Sequence, residues 1–181
     1  MSEIAKRVID MFENIILNHQ NAGNDAQLEQ HKLQLEKLNG LQDTVYEFIS
    51  MLERQYAYPD VNIPGFSELC NRIFSTVTSY GSTDSVKIVT EIKKRVYLAS
   101  NNSVDLPASD LIALFVLLAA QVKYDVTNVK TSPDTWYITK NYKSAELNFN
   151  SFYSDSAEFI NKTIKELHLN NIPKIKNAIL E

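Results

Sequence analysis

A seven-residue apolar repeat near the start of the sequence constrains the fold of this chain more than any other feature. Mostly apolar residues recur at alternating spacings of three and four, which places them on one face of an α-helix that packs lengthwise on another helix. The repeat comprises Leu28, His31, Leu35, Leu38, Gln42, Val45, Ile49, Leu52 and Tyr56. The pattern therefore predicts a long helix, and it describes packing rather than chemistry.

A shorter helix is predicted before the repeat. Ser2 is a suitable N-cap, and apolar residues recur at helical spacing from Ile4 to about Gln20. Residues 21–24 form a short connection, after which the second helix is expected to run to about Ala57. Two helices joined by so short a loop favour an antiparallel hairpin.

The two helices of this hairpin differ in length. At a rise of 1.5 Å per residue the first spans about 28 Å and the second about 50 Å, so the first covers only part of the second. We therefore expect the tip of the hairpin, with His19, His31 and Leu35, to project as an interaction site, and the base to be buried. The alternative for the two histidines is that they are polar residues that fix the helix register.

The rest of the chain predicts further helices. Residues 111–120 are ten consecutive apolar residues, too few for a membrane span, and they predict the central buried helix of the domain. Association of this helix with a membrane surface is a third hypothesis. The expected helices cover residues 66–80, 84–99 with a cap at Thr83 or Asp84, 107–122, 155–169 and a short last helix opened by Pro173.

Helical periodicity is lost between residues 124 and 150. Residues 135–139 are typical of a short strand, and residues 146–149 alternate as its possible mate, so the segment predicts a small β-ribbon near 135–149 that lies on the helices. The aromatic residues and lysines of this segment are expected to contact a partner. In the alternative, Trp136 and Ile138 pack the ribbon onto the helices while Tyr137 and the lysines face solvent. The candidate interaction residues here are Trp136, Tyr137, Lys140, Tyr142 and Lys143.

The sequence contains no recognisable catalytic, cofactor-binding or metal-binding constellation. Its three histidines are widely separated, and a single cysteine, Cys70, lies on an apolar helical stretch where a buried thiol is expected. Glycine-rich phosphate loops and the nucleophile elbow of hydrolases are absent from the sequence. We therefore predict no catalytic residue, no cofactor and no metal, and we favour a protein that is not an enzyme.

Charge and cysteine content indicate the compartment and the class of partner. The formal net charge of −4 argues against a dedicated nucleic-acid binder, which needs clustered Lys and Arg. The first residues lack the apolar core of a signal peptide, so a cytoplasmic location is expected.

Together these patterns predict an all-α fold with an N-terminal antiparallel hairpin, residues 1–58, packed on a helical bundle with the small ribbon, residues 66–181, as one continuous domain. The predicted function is a non-enzymatic protein–protein interaction module, such as an adaptor, a regulatory subunit or a cognate inhibitor, with a protein partner or a second copy. The alternative is a small-molecule-binding domain or cryptic enzyme. Its pocket would lie between helix 107–122 and the ribbon, lined by Phe115, Trp136 and Tyr137.

Overall fold

The computed structural model describes residues 25–58, 63–101, 106–141 and 149–176. Within these ranges the chain forms seven α-helices and no strand, which confirms the predominantly α-helical fold. The first predicted helix lies outside the described residues. The helices are α1 (Asp25–Leu38), α2 (Leu41–Ala57), α3 (Phe66–Tyr80), α4 (Thr83–Ser100), α5 (Ala108–Thr127), α6 (Asp134–Asn141) and α7 (Phe149–Glu166).

The apolar helix α5 lies at the centre of the bundle, as the sequence predicts. Every residue from Ile112 to Val122 is buried, and α5 contacts α1, α2, α4 and α7. A single hydrophobic cluster contains residues from both predicted parts of the chain, 1–58 and 66–181, for example Leu52 of α2 and Ile160 of α7. Burial of each such side chain stabilises the fold by about 1.5–3 kcal/mol. No helix in the described part of the chain is both long and apolar enough to cross a membrane.

The single long helix predicted for residues 25–57 is two helices. Gly40 adopts a left-handed conformation, with φ of 78°, between the end of α1 and the start of α2. Glycine has no Cβ and reaches this conformation without the steric penalty that other residues meet. The heptad repeat continues through Gly40, so its periodicity gives no sign of the break.

Helix α1 packs on the body rather than projecting from it. It contacts α2, α3 and α5, and the side chains of Leu35 and Leu38 are only 6% and 3% exposed. The expected projecting tip is therefore wrong for the part of it that the structure describes. The burial of two leucines against neighbouring helices supplies the free energy that holds α1 at this position.

The predicted strand at residues 135–139 is helical, because these residues belong to α6. Pro133, Trp136 and Tyr137 are all buried, and their spacing of three and four residues places them on one face of a helix. Adjacent buried residues such as Trp136 and Tyr137 do not fit a strand, whose side chains alternate between faces. The ribbon is thus wrong in its first strand; residues 146–148 of its second strand lie outside the described residues, and Phe149 begins α7.

The other predicted helices form close to their expected bounds, except that α5 continues to Thr127, past its predicted end at residue 122 and into the stretch where a loss of helical periodicity is expected. Two further differences lie at the C-terminal end. Helix α7 begins at Phe149, several residues before the predicted cap at Ser154 or Asp155, and ends at Glu166. Residues 173–176 are not helical, so the last predicted helix does not begin at Pro173.

Candidate binding cleft

Four polar residues form a hydrogen-bond network where the connection from α3 to α4 meets α5; we call it the Asp125 network. The Oδ2 atom of Asp125 accepts hydrogen bonds from the backbone N–H of Ser82, at 3.1 Å, and from the hydroxyl of Ser85, at 2.6 Å. Its Oδ1 atom accepts a bond of 2.8 Å from Nε2 of Gln121, one helical turn earlier on α5. Ser85 and Gln121 are completely buried, so loss of one of these bonds is expected to cost about 1–3 kcal/mol.

The N-terminus of α4 positions two members of the network. Ser82 is the N-cap of α4, and its hydroxyl oxygen accepts a hydrogen bond from the backbone N–H of Ser85. The sequence predicts this cap one or two residues later, at Thr83 or Asp84, but Thr83 is already the first helical residue. Asp125 therefore binds the start of α4 at the residue that caps it, and joins α4 to α5.

Gly81 allows α3 and α4 to approach each other closely. Its φ of −72° is open to any residue, so its conformation does not require glycine. A Cβ atom at this position would instead lie 2.6 Å from the carbonyl oxygen of Val77 and 3.1 Å from the Cβ of Ser85. Glycine is required here because there is no room for a side chain.

A cleft of about 380 Å³ lies beside the network and is open to solvent; we call it the Asp125 cleft. One wall is the face of α1 that includes Leu35 and Leu38, and the opposite side is built from the ends of α3 and α5. The lining of the cleft therefore includes both apolar residues and residues with hydrogen-bonding groups. The lining residues are His31, Gln34, Leu35, Leu38, Tyr80, Gly81, Ser82, Tyr124, Asp125, Val126 and Asn128.

Among the described lining residues of the cleft, Asp125 is the one carboxylate and His31 the one side chain that can carry a positive charge. Asp125 forms no ion pair with a Lys, Arg or His among the described residues, and none of the lining residues in that part of the chain is Lys or Arg. The C-termini of α3 and α5 both lie at the cleft, and neither helix has a basic residue in its last turn. The unpaired carbonyl groups of a helix C-terminus place about half a negative charge there.

The geometry of the network favours binding over catalysis. Serine hydrolases place a histidine between the aspartate and the serine, so that the imidazole removes the hydroxyl proton. Here Asp125 accepts directly from the Ser85 hydroxyl, and Ser85 is fully buried, out of reach of a substrate. Three of the four acceptor positions of the carboxylate are already occupied. Asp125 is therefore held as a fixed charge rather than as a base next to an accessible nucleophile.

The structure brings two of the predicted interaction residues to this cleft. His31 and Leu35 both line it, one turn apart on α1. His19, Tyr142 and Lys143 lie outside the described residues, and Lys140 belongs to α6, where its side chain is not described.

Trp136 and Tyr137 belong to the core. Their exposed fractions are 8% and 1%, and the Trp136 ring stacks on Tyr46 of α2 with ring centroids 4.7 Å apart. The burial of Trp136 agrees with the packing alternative, whereas the burial of Tyr137 contradicts the solvent exposure that this alternative expects for it. Phe115 belongs to the same hydrophobic cluster, so the three residues expected to line a pocket between α5 and the ribbon are buried in the core instead.

The sequence interpretation did not identify Ser82, Gln121 or Asp125 as site residues. Ser82 and Asp125 are 43 residues apart, and neither belongs to a motif. The one local signal is that Gln121 and Asp125 lie one turn apart at the end of the apolar run of α5, where a buried face is expected to continue.

The described residues contain no group of three or more His, Cys, Asp and Glu that is arranged to hold a metal ion. The chain matches no protein-family model, and neither a curated protein nor a solved structure shows significant similarity to it.

Proposed function

We propose that this protein is a non-enzymatic interaction module that binds a segment of a protein partner in the Asp125 cleft. The observation that supports the proposal is the cleft itself: it is open, its lining includes the half-buried Tyr80, Tyr124 and Val126 beside hydrogen-bonding groups, and its carboxylate is held by three hydrogen bonds. Apolar contact area supplies affinity, and fixed polar groups orient the bound segment.

An open cleft favours a protein segment over an enclosed small molecule. Small-molecule sites measure about 300–1,000 Å³ and bury roughly 70–90% of the ligand surface. The volume of about 380 Å³ is at the lower end of this range, and the opening leaves one side of an occupant in solvent. A side chain at the surface of a larger partner fits this shape, because the partner itself covers the open side.

Site-specific photo-crosslinking tests the proposal. A benzoylphenylalanine at Gln34, which lines the cleft, is compared with one at Lys162 of α7, whose side chain is 70% exposed and lies outside the cleft. We expect a discrete crosslinked protein from position 34 in a lysate of the source cells, identified by mass spectrometry, and none of that species from position 162. Equal crosslinking at both positions, or none at position 34, would contradict the proposal.

The alternative of a small-molecule-binding domain gives a different result. Native mass spectrometry of the protein isolated from the same lysate would then show a bound species of low mass, and position 34 would yield no protein crosslink. The two results separate the two functions without knowledge of either ligand.

A further inference from the structure

With His31 counted as neutral, the formal charge at the Asp125 cleft is negative within the described part of the chain. The carboxylate of Asp125 has no cationic partner there, and the C-termini of α3 and α5 each add about half a negative charge. The N-terminus of α4 opposes them with about half a positive charge. A negative potential therefore remains, in a cleft where partial exclusion of water reduces screening.

The carboxylate also has room for one more hydrogen bond. A carboxylate has about four acceptor positions. Oδ2 accepts from Ser82 and Ser85, whereas Oδ1 accepts only from Gln121. The remaining position on Oδ1 is suited to one N–H of a charged donor, and such charge-assisted bonds are stronger than neutral ones.

The other lining residues suit the rest of a basic side chain. Val126, which is half-buried, offers apolar surface at the cleft for the methylene groups of a lysine or arginine, which such side chains cover readily. Tyr80 and Tyr124 also line the cleft, and aromatic faces attract ammonium and guanidinium groups.

From these observations we infer that the Asp125 cleft recognises a basic side chain, lysine or arginine, of the partner protein, with the Asp125 carboxylate as its counter-ion. The inference rests on the proposed function and names the chemistry of the bound segment.

Titration with small mimics of the side chain tests the inference directly. n-Butylguanidinium and n-butylammonium are added to the ¹⁵N-labelled full chain and followed by NMR, with N-butylurea as a neutral control of nearly the same shape as the guanidinium. We expect saturable shifts of the amides of Ser82, Ser85 and residues 124–128 with the two cations, and none with the urea. Because ionic strength screens charge, 0.5 M NaCl is expected to weaken the binding. Equal shifts with N-butylurea and n-butylguanidinium, or binding of the cations that does not weaken in 0.5 M NaCl, would overturn the inference.

Two variants separate the charge from the integrity of the network. Asp125→Asn removes the charge and keeps an acceptor for Ser82, and it is expected to weaken n-butylguanidinium binding about five-fold, the effect of a partly exposed ion pair. Ser85→Ala removes one bond to Oδ2 and keeps the charge, and it is expected to weaken the binding less than Asp125→Asn does. Equal losses in both variants would assign the effect to network damage and overturn the inference. The comparisons with NaCl and with N-butylurea use the unaltered chain, so they still test the inference if a variant fails to fold.

The results for the cleft and for the partner are distinguishable. Crosslinking at Gln34 without selectivity for the cations would reject the basic side chain and leave the protein-binding function in place. Selective binding of the cations without a protein crosslink would reject the protein partner and assign the cleft to a small cationic ligand.

Discussion

The replacement Gly40→Ala tests whether the break between α1 and α2 is a determinant of the fold. Gly40 has a φ of 78°, and a Cβ at this position would meet no atom within 4 Å, so the substitution acts on the backbone alone. Alanine in the left-handed conformation costs about 1–2 kcal/mol. The reduced freedom of the unfolded chain returns about 0.4–1 kcal/mol. The net expectation is a loss of about 1 kcal/mol in the free energy of unfolding.

The variant can avoid this strain by joining α1 and α2 into one helix. That rearrangement would remove Leu35 and Leu38, which are 6% and 3% exposed, from their present neighbours. Exposure of two leucine side chains costs about 3–6 kcal/mol, more than the strain of about 1–2 kcal/mol that it relieves. We therefore expect α1 to stay packed on α3 and α5 in Gly40→Ala.

Urea unfolding monitored by circular dichroism measures the loss, and small-angle X-ray scattering measures the radius of gyration. Gly65→Ala is a matched control, because Gly65 has a φ of 79° and also caps the start of a helix, and a Cβ added there would meet no atom within 4 Å. Gly40→Asn is expected to lose less, since asparagine tolerates the left-handed conformation. A Gly40→Ala protein that is as stable as the original, or has a larger radius of gyration, would refute the argument.

Three further expectations concern single residues. Gly81→Ala is expected to lower the free energy of unfolding, measured with urea, by about 1–3 kcal/mol, because the new Cβ would lie 2.6 Å from the Val77 carbonyl oxygen. An unchanged free energy of unfolding would contradict the packing argument. Leu117→Ala, at a completely buried position of α5, is expected to cost about 2–5 kcal/mol in the same assay, whereas a loss below about 1 kcal/mol would place α5 outside the core. Burial raises the pKa of the Cys70 thiol from 9.0 to about 11, against the opposing effect of the Lys93 charge. Less thiolate is therefore present at pH 8, although each thiolate is more nucleophilic, so iodoacetamide should alkylate the native chain about ten-fold more slowly than the urea-unfolded chain. Equal rates would show an accessible thiolate.

The sequence predicts those parts of the fold that depend on local patterns. The ten apolar residues of 111–120 predict a buried helix, and α5 is buried from Ile112 to Val122. The helix at 66–80 and its end at Gly81 follow from apolar spacing and a terminal glycine, and α3 has these bounds. In both cases the residues that determine the structure are neighbours in the sequence.

The features that the sequence did not predict depend on contacts between distant residues. The short segment 135–139, rich in aromatic and β-branched residues, fits a strand or a short helix equally well, and the burial of Trp136 against Tyr46 decides in favour of the helix. The Asp125 network similarly joins residues about 40 positions apart, and each of them alone is an ordinary cap or helix residue. Local periodicity contains no information about such pairs.

The break at Gly40 and the Asp125 cleft are parts of one arrangement. Helix α1 contributes one wall of the cleft through His31, Leu35 and Leu38, and these residues precede the break. In a continuous helix of residues 25–57, α1 would extend the axis of α2 by about 21 Å, the length of fourteen residues at 1.5 Å each, and it would leave the ends of α3 and α5 without this wall. The same heptad positions that suggest a coiled-coil seam thus serve, after one left-handed glycine, to seat α1 beside Asp125. The binding of n-butylguanidinium should therefore persist in Gly40→Ala only as long as the radius of gyration is unchanged.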